Sequence, residues 1–298
     1  EITSNDIIFK IGPRINASGR MQNAKETVSL LIERNYKSAY HNADMINHYN
    51  EQRKDLDKSM TEEANKIVEN LKENNDHKAI VIYNEEWHKG VIGIVASRLT
   101  EIYFQPAVVL TRTNDLATGS ARSVAGFDIY SAIASCRDIL ENFGGHTYAA
   151  GLTLKIEHIP EFKRRFEEYV QKNILHEQTL PNIDIDAVIG FQDITHKFFM
   201  DMKRFQPFGP DNKKPVFCSE HVYDYGTSKV VGREQEHIKL ELVDNKSSKI
   251  MNGIAFGQSS QARYIKTKQS FDIVYTLEDN THKRGEIQLQ IEDIRPSE

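Results

Sequence analysis

An α/β unit followed by an all-β unit is the fold class this 298-residue sequence predicts. Three observations carry it. Between Ala79 and Leu175, short apolar runs alternate with amphipathic stretches, as in a layered α/β sheet. Beyond Pro181, strand patterns dominate. Upstream of both, neither glycine nor proline interrupts the chain between Arg20 and Lys89.

That uninterrupted stretch predicts a long helix over about 36–73. Apolar or small residues recur in steps of three and four at Ala39, Ala43, Ile46, Tyr49, Leu56, Met60, Ala64, Ile67 and Leu71. Such a helix suits a strut between domains, with a coiled coil as the rival reading. The polar cluster 73–78 ends it. In the α/β unit, strands are expected over 79–83, 106–111, 116–122 and 152–156. Helices are expected over 91–103, 129–143 (with Asp128 as N-cap) and 161–175. A helical stretch over 194–205 and the loop 207–212 lead into strands over 216–225, 229–233, 237–243, 249–256, 271–277 and 286–294. A helical segment over 259–266 interrupts them. This pattern fits a small closed barrel such as the OB-fold, with an SH3-like barrel or small sandwich as alternatives. The organisation that follows is 1–35, a connecting helix 36–77, an α/β domain 78–180 and a barrel 181–298.

Composition narrows the function classes. No apolar run reaches the ~20 residues needed to span a membrane, and no signal peptide is visible. The two cysteines, Cys136 and Cys218, lack metal-ligand spacing, which fits a reducing cytoplasmic setting. The chain opens on Glu1 without methionine, so a fragment of something longer is expected. The net charge of −5 makes any nucleic-acid site a local groove rather than a basic domain.

Four clusters are suited to chemistry. Residues 12–20 place Arg14, Asn16 and Arg20 among small residues, reading either as a phosphate-reaching loop or as a capping loop with solvated arginines. Trp87 and His88 stand where a strand passes into a helix; a lone histidine there is more often structural than catalytic. Ser120, Arg122 and Ser123 offer two hydroxyls and a guanidinium on one loop, the donor mix for a phosphate ester. Gly144, Gly145 and His146 form a bare-backbone loop, which reads as an anion site feeding a helix at Ala149-Ala150 or as a tight turn before a strand. No Asp/His cluster of the kind that binds two divalent metals is apparent.

These clusters, in this order, resemble the C-terminal part of the bacterial RecJ exonuclease family, within the DHH phosphoesterase superfamily. Residues 12–20 are similar to the arginine motif at the end of the family's DHH domain. Residues 87–98 are similar to the opening of its DHH-associated domain. Residues 119–123 and 144–151 match that domain's substrate motifs, and 207–212 resembles the loop leading into its OB-fold. The resemblance covers nearly the whole chain. It implies the tail of a DHH domain joined by a long linker helix to a DHH-associated α/β domain, followed by an OB-fold barrel.

The resemblance further implies Mn²⁺- or Mg²⁺-dependent 5′→3′ cleavage of single-stranded DNA in recombination and repair. The metal-binding motifs would precede this sequence, leaving the fragment inactive by itself and without a metal site of its own. Ser120 and Arg122 would hold a phosphate near the 5′ end, with Arg14 or Arg20 assisting. Gly144, Gly145 and His146 would cradle the phosphate next to the scissile bond, with His146 gripping rather than acting as a base. By residue type, the strand-gripping candidates in the barrel are Tyr223, Tyr225, Lys229, Arg233, His237, Lys239, Arg263, Tyr264, Lys283 and Arg284. A monomer is expected, with single-strand-binding protein and a helicase as possible partners. Two alternatives stand: a phosphoesterase of the same superfamily acting on short RNA or cyclic dinucleotides, and a non-catalytic DNA-binding or partner-recruiting module.

Overall fold

A computed structural model describes residues 2, 4–72, 77–209, 211–280 and 285–297. The chain divides into two compact units, residues 1–181 and 182–298.

The first unit opens on helices. α1 (Ser4–Asp6) runs through a wide π turn (Ile7–Ile11) into α2 (Gly12–Met21), and α3 (Lys25–Ile32) follows. The loop expected over 12–20 is therefore a helix. Pro13 sits in its first turn, where a missing N–H breaks no intrahelical bond, and the fully buried Ala17 and Ser18 let the backbone pack closely. α4 (Tyr36–Lys72) is the long helix, on the order of 55 Å at 1.5 Å per residue. It is not a free strut, because Met60, Ala64 and Val68 are buried in the core of this unit. Residues 73–76, expected to end it, lie outside the described residues.

A five-stranded sheet follows, made of β1 (Ile80–Tyr83), β2 (Ala107–Thr113), β3 (Leu116–Arg122), β4 (Leu140–His146) and β5 (Ala149–Lys155). The spatial order is β1-β2-β3-β5-β4, with β1 and β2 parallel and the remaining pairs antiparallel. Side chains alternate between the two faces. Val81, Val108, Leu110, Ala117, Ala121, Leu152 and Leu154 pack against α6 (Ile129–Ala134) and α7 (Ile159–Asn173). Ile80, Ile82, Ala107 and Val109 face the other way, toward α5 (Ile92–Tyr103) and α4.

The helix expected over 129–143 stops at Ala134, and residues 140–146 form an edge strand. Its apolar spacing misleads. Leu140 pairs with Leu154 and Phe143 with Leu152, and the register shift between Leu140 and Asn142 lets two apolar residues three apart face the same core. A bulged strand thus mimics a helical period. Ala149-Ala150, expected to start a helix, starts β5 instead.

In the second unit, β7 (Phe217–Asp224), β9 (His237–Asp244), β10 (Ile250–Ala255), β11 (Phe271–Asp279) and β12 (Ile287–Pro296) form a ring, β7-β11-β12-β10-β9, closed by pairing of β9 with β7. The short strands β6 (Ala187–Val188) and β8 (Lys229–Val231) flank it. β10 and β12 are parallel, and α9 (Ala262–Ile265) lies between β10 and β11 in sequence. A five-stranded closed ring with this insertion is an OB-fold, which resolves the choice among barrel and sandwich. Phe217, Val222, Leu240, Leu242, Phe271, Tyr275, Leu289 and Ile291 fill its interior. α8 (His196–Lys203), capped by the Thr195 hydroxyl, packs Phe199 and Met202 onto that core. In the 207–212 loop, the Asn212 side-chain amide donates to the carbonyls of Phe205 and Pro207; Pro210 lies outside the described residues.

Candidate functional site

Alternation along β3 puts Thr118, Ser120 and Arg122 on the face of the sheet opposite Ala117, Gly119 and Ala121. There they meet the first turn of α5. The Arg122 guanidinium donates to the Ser120 hydroxyl (3.0 Å) and to the Ala121 carbonyl (2.7 Å), which holds it along the strand. Arg20, at the end of α2, donates to the Gly90 carbonyl at 3.1 Å. The two arginines border one open cleft of about 490 Å³, lined also by His88, Lys89, Gly90, Gly93, Thr118 and Ser120. Among the described residues, no carboxylate lines it. Burial, and then the nearby Arg20 charge, depress the Arg122 pKa from its ordinary value, although an arginine remains a cation at any working pH. Among the described residues, neither guanidinium has a carboxylate within ion-pair distance. Two unneutralised cations side by side favour an anion between them.

His88 borders the same cleft, and its Nδ1 accepts the Gly90 N–H at 3.1 Å. The neutral ring therefore carries its proton on Nε2, as a donor. Gly90 has a steric role here: a Cβ on it would stand 2.3 Å from the Arg20 carbonyl oxygen. Its bare backbone is what lets the end of α2 lie against the entry to α5.

The glycine–histidine motif occupies the same sheet face further out. Ser120 pairs with Gly151, which pairs with Gly144; Arg122 pairs with Ala149, which pairs with His146. Directly paired residues share a face. His146 thus stands two strands from Arg122, about 10 Å at the ordinary strand spacing. Gly144, Gly151 and His146 are exposed. The two glycines differ. A Cβ on Gly145 would lie 2.4 Å from the Ala149 carbonyl oxygen, whereas one on Gly144 would meet nothing within 4 Å. Gly145 is required by the hairpin, and Gly144 leaves the outer face flat.

Several candidates are placed elsewhere. Arg14 is held by the Asn47 side chain on α4 and the Lys10 carbonyl. Asn16 is exposed on α2, one turn before Arg20, and does not line the cleft. Trp87 is a core residue, 5% exposed, with its indole N–H on Glu63 at 2.9 Å. Ser123 donates to the Phe127 carbonyl at 2.6 Å and so braces its own turn. These corrections share one cause. Adjacent motif residues diverge once a helix or strand turns them to different faces.

On the barrel, Lys229 and Lys239 pair across β8 and β9 on the outer face, and Tyr225 and Arg233 are exposed. The row continues through Ile254 to Gln290, with Glu241, Asn252 and Gln288 alongside. Phe256, absent from the expected set, is 55% exposed and meets the His237 ring edge-on at 5.0 Å. His237 Nδ1 accepts the Gly257 N–H, fixing the ring. Tyr223 is half-buried on β7 and Arg263 exposed on α9. Tyr264 packs on the barrel core beside Phe271 and donates to the Ser270 carbonyl, so it is a structural residue. Lys283 and Arg284 lie outside the described residues. Among the described residues, no group of three or more His, Cys, Asp or Glu is placed to hold a metal ion, and no helix is long and apolar enough to cross a membrane.

The class defined by this fold is a domain pair, an α/β domain bearing a cationic cleft coupled in sequence to an OB-fold. Residues 76–172 match the DHHA1 domain and residues 185–293 the RecJ OB domain. The single-stranded-DNA-specific exonuclease RecJ of Bacillus subtilis (strain 168) is 34% identical over 301 residues, covering 100% of this chain and 38% of that protein. RecJ of Haemophilus influenzae is 28% identical, covering 99% of this chain and 52% of the relative. The crystal structure of Thermus thermophilus RecJ with Mn²⁺ shares the fold at a TM-score of 0.82 and 24% identity, over 98% of this chain and 42% of that one. The chain belongs to the RecJ family, carries its DHHA1 and RecJ OB domains, and spans between about a third and a half of the length of these curated relatives.

Proposed function

We propose that this chain is the substrate-gripping part of a RecJ-type, single-strand-specific 5′→3′ exonuclease of DNA recombination and repair. The observation that carries this is the cleft bordered by Arg20 and Arg122. It holds two guanidiniums, the Lys89 ammonium, the Ser120 hydroxyl and, among the described residues, no carboxylate. A terminal phosphate monoester is close to a dianion at pH 7, while an internal diester carries a single charge. The charge balance therefore favours a terminal phosphate, which we take as the 5′ one from the likeness to RecJ. Ser120 and Arg122 hold it, and Arg20 assists. Gly144 and His146, about two strands away, meet a later phosphate of the same strand. His146 serves as a grip.

The outer barrel face supplies the hold on the strand, through Lys229, Lys239, Tyr225, Arg233 and the Phe256–His237 pair. We assign the catalytic metals, Mn²⁺ or Mg²⁺, to the region that precedes the aligned segment in the relatives. When bound they would activate the attacking water. The domains proposed are a DHH-domain tail over 1–35, a connecting helix over 36–77, a substrate domain over 78–180 and a barrel over 181–298. The chain is assigned to the cytoplasm as a monomer that works beside single-strand-binding protein and a helicase.

Fluorescence anisotropy with matched 5′-phosphorylated and 5′-hydroxyl oligonucleotides tests the cleft. The chain should prefer the phosphorylated strand, and Arg122→Ala should lower affinity for it by about tenfold or more, the weight of one charge-assisted hydrogen bond. Affinity for the hydroxyl strand should change much less. Equal losses on both would remove the terminal-phosphate role. In the same buffer with Mn²⁺, the purified chain should release no mononucleotide; release would place the cutting groups within it.

A further inference from the structure

We propose that Gly93 is the specificity-determining residue of the cleft, because the space left by its missing side chain seats the Ser120 hydroxyl and the Arg122 guanidinium that receive a terminal phosphate. This rests on the phosphate reading above. Gly93 is the second residue of α5, in ordinary helical conformation; its φ is not among the positive values of this chain. Nothing in the backbone calls for glycine there, and alanine is the better helix former. What calls for glycine is space. A Cβ at position 93 would stand 3.0 Å from Ser120 Oγ and 3.1 Å from Arg122 Nη2, tighter than ordinary van der Waals contact. Both are far ends of side chains, so both would move aside and the helix would remain.

The moved groups are the ones that matter. Arg122 is held flat along β3 by its bonds to Ser120 Oγ and the Ala121 carbonyl. An alanine methyl pressed between helix and strand breaks that arrangement and displaces the donors from the anion. A residue retained for stability and one retained for ligand geometry give opposite signs on substitution to alanine. At this position the melting temperature should hold or rise while recognition is lost.

The experiment uses the full 298-residue chain and 5′-phosphorylated and 5′-hydroxyl oligonucleotides of one sequence. Gly93→Ala should bring the wild-type preference for the phosphorylated strand down by about tenfold. Affinity for the hydroxyl strand and the melting temperature should be maintained. In a Ser120→Ala/Arg122→Ala background, Gly93→Ala should cost nothing further, since both groups it displaces are already gone. A preference that survives Gly93→Ala but falls with Arg122→Ala would overturn the role of Gly93 alone. Loss of folding in Gly93→Ala would also overturn it, since the methyl would then press on more than two side-chain ends. Absence of any preference in the wild-type chain would overturn the reading of the cleft, and this inference with it.

Discussion

Arg122 owes its chemistry to what is missing around it. A half-buried guanidinium in a protein usually finds a carboxylate, as Arg98 does in its two-bond fork on the 2%-exposed Asp57. Arg122 finds a hydroxyl, a carbonyl and another arginine instead. Arg20→Ala removes the repelling neighbour and one ligand group together. Affinity for a 5′-phosphorylated strand should fall, by less than in Arg122→Ala, and anisotropy titrations would show a loss of severalfold. An unchanged or tighter complex would mean that Arg20 only repels. Asp272 illustrates the opposite case. Burial alone would raise its pKa, but donors from Ser297, the His221 N–H and Arg295 outweigh it and hold the carboxyl below the usual aspartate value. The folded state thus favours the carboxylate. The stability this adds is full above about pH 4 and drains away as pH falls through the lowered folded value. Asp272→Asn should cost the barrel on the order of 1–3 kcal/mol at pH 7, and the gap to wild type should narrow toward pH 3. Urea unfolding at both pH values measures it, and a gap of constant width would refute it.

At the scale of elements, the hairpin of β4 and β5 separates two neighbouring glycines that look alike in the sequence. Gly145 faces backbone atoms of its partner strand too closely for any side chain, while Gly144 faces open space. Gly145→Ala should lower the melting temperature by several degrees, as overpacking of about 1–3 kcal/mol does. Gly144→Ala should leave it unchanged and reduce single-strand binding. A pair of matching melting curves would contradict the placement. The same hairpin marks where sequence reading stops. β3, the α5 helix and barrel strands such as β9 and β10 were legible through clean alternation or a clean helical period, and β11 as a largely apolar run bounded by turn residues. β4 was read as helix, since a bulge at Glu141 spaces Leu140 and Phe143 three apart. The Ser120–Arg122 pair was legible as chemistry from its residue types, but the expected loop is the end of β3, where residues two apart share a face and Ser123 falls beyond the strand. Trp87, Ser123 and Arg14 were not. Their motif neighbours do line the cleft or flank it, but each of the three is consumed by a partner far away in sequence or across a turn. Gly93 and Phe256 escaped notice because one acts through absence and the other through exposure, and neither leaves a pattern.

At the scale of the whole molecule, a net charge of −5 sits uneasily with a nucleic-acid ligand unless the cations are gathered locally. They are gathered twice, once on each unit: in the acid-free cleft of the first, and along the Lys229–Lys239 row of the second. If the first reads a strand's end and the second its length, the two properties separate on truncation. Each unit has its own core, so removal of residues 182–298 should leave the first folded. The shortened chain should keep its preference for a 5′-phosphate. It should lose the gain in affinity that the full chain shows from a dinucleotide to a 15-mer. The salt dependence should flatten with it, since each phosphate contact on a single strand contributes a slope of about −0.7 in log K against log salt. Titrations of both chains with 5′-phosphorylated and 5′-hydroxyl 2-mers and 15-mers at two salt concentrations measure all three. If the shortened chain keeps the length dependence, the grip belongs to the sheet face of Gly144 and His146, and the barrel is left to partner proteins. If it loses the end preference as well, the cleft does not work without the barrel, and the division of labour between the two units falls.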